Sequence, residues 1–172
     1  DQSTQRDLTK AIDRQNQTVT SLTGELSWNY GMGVVRVDTP RSQGVAGFLS
    51  KAGEIKLSDV TIVSNNEFAS VMVVSLDDQP LKRSKRILIQ AMTEAQPYGF
   101  KIEEGKILNL GGAPFGVKEI EARLSMRFEG EGVPTVTALD ENGYATQKPV
   151  NISGDGVTNP VVIQLVADAI YH

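Results

Sequence analysis

The chain has no cysteine, and that absence removes disulfides, thiolate-bound zinc and cysteine nucleophiles together. Histidine is nearly as scarce: His172 is the only one, so a buried Ser-His-Asp triad and a multi-histidine metal site are excluded. Positive charge is not in excess either. Seventeen Lys and Arg stand against 21 Asp and Glu, for a net charge of -4. A protein that neutralises phosphates needs a dense basic surface, so a nucleic-acid partner is not expected. No apolar run is long enough to span a membrane, and no signal peptide opens the chain. Beginning abruptly at Asp1, it reads as a mature form or, preferentially, an excised part of something longer. Phosphate-loop, dinucleotide-binding and G-x-S-x-G patterns are also missing in any strand-to-helix context.

What is present is the grammar of short strands. Sixteen glycines and seven prolines are spread along 172 residues, enough chain for one domain with a buried core. From Leu22 onward the apolar period is two. Leu26, Trp28 and Tyr30 share one face of a strand and Glu25, Ser27 and Asn29 the other, and Val34–Asp38 returns as its partner after a Gly31-Met32-Gly33 turn. Further strands are expected at residues 45–49, 54–57, 60–63, 68–76, 86–91, 120–128 and 161–171, with the nearly continuous apolar run from Phe68 inside a sheet. Asp77-Asp78-Gln79-Pro80 and Asp140-Glu141-Asn142-Gly143 are turn sequences. The expected fold is therefore all-β: an antiparallel, jelly-roll-like sandwich of roughly ten strands. Residues 1–19 are expected as a short N-terminal helix or linker, because Thr4-Gln5-Arg6-Asp7 resembles a capping box and Leu8, Ala11 and Ile12 recur at helical spacing up to Gln15. Residues 20–172 are the sandwich module. The glycine- and proline-rich stretch 96–116 is expected as an irregular excursion at one end.

Chemistry has few candidates. Glu103 with Glu104, or Asp140 with Glu141, are the only carboxylate pairs that invite an acid–base reading, and adjacent residues on solvated loops rarely gain the separation and desolvation such work needs. No catalytic residue, cofactor or metal site is expected; a structural calcium held by Asp140, Glu141 or Asp155 is the one ion the composition leaves room for, without EF-hand spacing to support it. The basic cluster Lys82-Arg83-Ser84-Lys85-Arg86 is expected to guard a strand edge. Aromatic residues, only 6% of the chain, are the remaining means of binding, since Trp and Tyr stack on the apolar face of a sugar ring. Trp28, in phase with Leu26, is expected in the core and otherwise as a stacking residue. Tyr30 lies at a turn. Tyr98 and Phe100 open the irregular stretch, with Lys101 and Asn109 placed to reach hydroxyl groups.

The segment Leu22–Phe48, "LTGELSWNYGMGVVRVDTPRSQGVAGF", resembles the opening of a β-sandwich domain that follows the catalytic barrel in many secreted bacterial glycoside hydrolases. The likeness continues through Glu67-Phe68-Ala69-Ser70-Val71 and Arg86–Ala91, covers about residues 20–128, and fades after Pro97, where that family commonly has a tryptophan. Thr39, Pro40, Arg41 and Gln43 match its most distinctive motif, which looks like a structural corner or a docking surface. The resemblance implies a non-catalytic accessory module, secreted or periplasmic, whose partners are the catalytic domain of the parent enzyme and a polysaccharide, for example a marine galactan such as agar or porphyran. Carbohydrate binding is the leading expectation. A domain that braces the barrel and binds no glycan is the alternative.

Overall fold

A computed structural model describes residues 11–129, 134–156, 158–169 and 171–172. Two antiparallel sheets face one another, and the expected all-β sandwich is what the chain forms. Strands β1 (Ile12–Asp13) and β2 (Thr18–Thr20) make a first hairpin, β3 (Leu26–Asn29) and β4 (Val34–Asp38) a second, and β5 (Ser42–Gly47) follows the Thr39-Pro40-Arg41 corner. One helical turn, α1 (Leu49–Ala52), carries the chain to the other sheet as β6 (Glu54–Lys56) and β7 (Val60–Ser64). It returns as β8 (Ala69–Ser75) and, after a 3-10 turn at Leu81–Arg83, as β9 (Ile87–Thr93). Strands β10 (Ala95–Tyr98), β11 (Lys101–Glu103), β12 (Lys106–Asn109) and β13 (Gly112–Val117) leave the sandwich; β14 (Ala122–Met126), β15 (Asn151–Ser153) and β16 (Val161–Gln164) complete it. The strand orders are β1-β2-β3-β4-β5-β8-β9 and β15-β16-β14-β7-β6.

The core fills the space where these two sheets overlap. Val45, Val71, Val73, Ile89 and Ala91 point in from the larger sheet, and Ile55, Val60, Ile62, Leu124, Met126, Val161 and Ile163 from the smaller. The strict alternation of buried and part-exposed residues along β7, β8 and β14 is the pleat of a strand with one covered face. Gly47 is required where β5 leaves the sheet: its φ is +135°, and a Cβ there would lie 2.0 Å from the Gly33 carbonyl oxygen. The Asp77 turn is held by its carboxylate, which accepts from the Ser84 hydroxyl (2.7 Å), the Lys85 backbone N–H (2.7 Å) and the Ser75 hydroxyl (3.0 Å). These donors, Ser84 foremost, hold the Asp77 carboxyl down at about 2.

Three expectations change. Residues 12–20 form the β1–β2 hairpin rather than the end of a helix, because Val19 is paired to Trp28 on the adjoining strand and draws Ile12 into register beside it; the capping-box residues lie outside the described residues. Residues 96–116 are not irregular but a two-stranded ribbon, β10 against β13 and β11 against β12, in which glycines at 99, 105 and 111 take positive φ where the ribbon turns or kinks. Finally, Trp28 is not core. It is half exposed, with Leu26 and Tyr30 on the same face, because cross-strand register through Val35 to Ala46 puts it on the side of the larger sheet opposite Val45, which points into the core. Alternation told which residues share a face but not which face would be covered.

Candidate functional site

The larger sheet outruns its partner, and there the polarity of its faces is inverted. On the inner side of the overhang stand Thr18, Thr20, Ser27, Asn29 and Arg36. On the outer side, cross-strand register aligns Ile12, Val19, Trp28, Val35 and Ala46 in one row over five strands. A second row places Leu26 beside Val37, Gly44 and Met72. Ile12, Trp28 and Val35 are 44%, 50% and 40% exposed. Tyr30 closes on Trp28 edge to face, with ring centroids 5.7 Å apart and planes at 62°. The result is a broad aliphatic surface with one crossed aromatic pair, not a coplanar platform. Sequence reading missed Ile12, Val19 and Val35 as members of it; the signal was that their polar neighbours Thr18, Thr20 and Arg36 fall in the opposite phase.

The other expected site residues meet elsewhere. Register sets Tyr98 opposite Gly112 and Lys101 opposite Asn109, so Tyr98, Phe100, Lys101 and Asn109 gather at the neck of the ribbon. Tyr98 is 78% exposed, whereas Phe100 is half-buried and its N–H donates to the Pro97 carbonyl at 3.1 Å. Part of the polar equipment is spent on the ribbon itself: Asn109 Oδ1 accepts from the Gly111 N–H at 2.9 Å, and Lys101 Nζ lies 3.7 Å from the Glu103 carboxylate. The six residues therefore do not form one site. Trp28 and Tyr30 belong to the sheet face and the other four to the ribbon.

The motif residues Asp38 to Gln43 are consumed by the fold. Thr39 Oγ1 accepts from the Ser42 N–H (2.9 Å) and donates to the Ser42 carbonyl (3.0 Å). The Pro40 carbonyl accepts from the Leu81 N–H, and Arg41 pairs with Asp78. Gln43, fully buried, spans the gap between sheets: its Oε1 accepts from the N–H groups of Asp59 (2.9 Å) and Val60 (3.0 Å), and its Nε2 donates to the Asp59 carboxylate (3.0 Å) and the Thr39 carbonyl (3.3 Å).

Carboxylates and cations are placed as follows. Glu103 and Glu104 occupy the exposed ribbon tip. Asp140 Oδ1 accepts from the N–H groups of Asn142 and Tyr144, both at 2.9 Å, and so closes the Asn-Gly turn. Asp155 Oδ1 accepts from the Asn159 N–H at 2.7 Å, and Glu141 is exposed. No cluster of three metal-ligating side chains is found among the described residues. In the basic cluster, Lys82 and Arg83 bind Glu129 at 2.6 and 2.7 Å, and these two hydrogen bonds hold the Glu129 carboxyl below its ordinary range.

His172 sits inside the end of the sandwich, its backbone exchanging two 2.8 Å hydrogen bonds with Ile89. Its Nε2 accepts from the Val166 N–H at 2.8 Å, so the hydrogen of the neutral ring is assigned to Nδ1, which is buried without a partner. Burial lowers its pKa below the ordinary 6.5. Because the unfolded chain then takes up the proton more readily, stability is complete above about pH 6.5 and is lost progressively as pH falls toward the folded-state pKa. Urea titrations between pH 7.5 and 5.5 should show this decline in the wild type and a flatter profile in His172→Gln, which keeps an acceptor for Val166. Parallel profiles would refute the assignment.

No family model matches the chain, and comparisons with curated proteins and with solved structures return no match. The class is thus defined by the fold and surfaces alone: an antiparallel β-sandwich with an exposed apolar sheet face and a projecting ribbon.

Proposed function

We propose that this protein is a non-catalytic accessory module that braces a larger enzyme by docking the outer face of its seven-stranded sheet on a neighbouring domain. The observation that carries this reading is the inverted overhang: Ile12, Leu26, Trp28 and Val35 are exposed while their strands turn polar residues inward. An apolar patch of this extent is costly to leave in water and suits a protein partner. A polysaccharide would need hydroxyl-reading polar groups among the aromatics, and the neighbours of Trp28 across the sheet are Val19 and Val35. The resemblance of residues 20–128 to the sandwich behind the catalytic barrel of secreted bacterial glycoside hydrolases supplies the partner, the parent's catalytic domain, and a secreted or periplasmic location. The absence of cysteine chemistry and the solvated setting of Glu103 and Glu104 support a role without catalysis.

A second reading, carbohydrate binding at the ribbon neck, draws on the exposure of Tyr98 beside Lys101 and Asn109. One measurement separates the two. Trp28 is the only tryptophan, so its emission reports the sheet face alone. Addition of the parent's catalytic domain should shift that emission to the blue, and a panel of polysaccharides should leave it unchanged. Trp28→Asp should abolish association at nearly constant melting temperature, because a half-exposed side chain contributes little to the fold. Retention on an agar or porphyran gel that disappears in the Tyr98→Ala/Phe100→Ala double variant would instead establish the sugar reading.

A further inference from the structure

The ribbon presents a problem of its own, independent of the sheet face. Every residue from 101 to 119 is exposed, and Ile102, Ile107, Leu108, Leu110 and Phe115 are each more than half exposed. An isolated two-stranded ribbon is marginal in water, and three or more strands are needed for one to be stable. Beyond the neck, the ribbon is only β11 and β12 joined by a two-residue turn, with Glu104 at φ 50° and Gly105 at φ 75° as the primed hairpin turn requires. The outer edge of β11 is paired to no strand among the described residues, so its backbone groups are available to another chain.

We infer that β11 pairs antiparallel with β11 of a second copy of this chain, about a two-fold axis at Ile102, giving a four-stranded sheet in the order β12-β11-β11-β12. The sequence of β11 is complementary to itself under that operation. With Ile102 on the axis, Lys101 of each copy stands directly opposite Glu103 of the other, two opposite-charge cross-strand pairs on one face. On the other face Ile102 is already opposite Ile107 in its own ribbon, so the pairing aligns four isoleucines in one row. Glu103 is also opposite Lys106 within its ribbon, so the charged row alternates in sign as Lys106, Glu103 and Lys101 of the second copy. The same operation centred on Ile107 of β12 sets Lys106 against Leu108, with no opposite charges, and the register irregularity at Leu108 distorts that strand. Complementarity thus selects β11 as the edge and a second copy as its occupant.

Sedimentation velocity across a concentration series tests this on the whole chain. The wild type should reversibly reach the mass of two chains. Lys101→Glu and Glu103→Lys each place like charges opposite one another and should raise the dissociation constant roughly tenfold or more. Mixing the two variants restores opposite charges and should regenerate the dimer as a heterodimer. That recovery also demonstrates that neither variant is misfolded. Ile102→Lys, which sets two cations on the axis, should be monomeric with an unchanged circular dichroism spectrum. A wild type that stays monomeric at every concentration, single variants that dimerise as the wild type does, or a mixture that stays monomeric would each overturn the inference.

Discussion

Gln43→Ala should cost about 3–5 kcal/mol, because it strands two backbone donors and removes a partner from a carboxylate, each orphaned group worth roughly 1–3 kcal/mol. The amide of Gln43 is wholly buried and satisfied at both ends, with the N–H groups of Asp59 and Val60 on one side and the Asp59 carboxylate on the other. Removing it loosens the hold of β5 on the start of β7, and thereby of one sheet on the other. Gln43→Glu makes the sharper test. Its first oxygen can still accept from both N–H groups, but its second takes the position of Nε2, 3.0 Å from the Asp59 carboxylate. Two carboxylates so close cannot both stay ionised without strong repulsion, so the variant should be destabilised at neutral pH and approach the wild type near pH 4, where a shared proton bridges the pair. Denaturant unfolding at the two pH values reads this directly. A Gln43→Glu protein as stable as the wild type at pH 7 would show that the amide does not join the sheets.

Leu124→Ala should cost about 2–5 kcal/mol, toward the upper end, since the deleted atoms leave a cavity that a central strand cannot collapse into. Leu124 has no exposed surface and is flanked on β14 by Ile62 of β7 and Ile163 of β16, both themselves buried. In a domain of this size that loss corresponds to a fall of roughly 10 °C in melting temperature. The contrasting control is Trp28→Ala, a larger deletion at a half-exposed position, which should cost far less. If the two costs came out in the reverse order, the assignment of the sheet faces would be wrong.

The contrast between these two residues marks how far the sequence could be read. Leu124 lies in a run where apolar residues at 120, 122, 124, 126 and 128 alternate with polar ones, and all of them turn inward, with Phe128 part-buried. Leu26, Trp28 and Tyr30 alternate just as strictly and face out. The local pattern is the same because pleating is local. Whether a second sheet lies against a given face depends on partners from 30 to 130 residues away, and no window on β3 contains them. The candidate site suffered for the same reason: Tyr98, Phe100, Lys101 and Asn109 are indeed neighbours, whereas Trp28 and Tyr30 belong to another surface.

By itself the sequence determined that the fold would be all-β, with strands expected at residues 54–57, 60–63, 68–76, 86–91 and 120–128 and turns at Gly33, Asp77 and Gly143, because side-chain period and turn chemistry are properties of consecutive residues; the strand expected at 45–49 instead runs Ser42–Gly47, and the one expected at 161–171 stops at Gln164. Only the tertiary structure decided that the ribbon is paired, that Gln43 joins two sheets, and that the tryptophan faces outward. Those outcomes depend on cross-strand register, which sets which face of a strand meets the other sheet, and on which backbone edges find partners, and both are settled by contacts between segments distant in the chain.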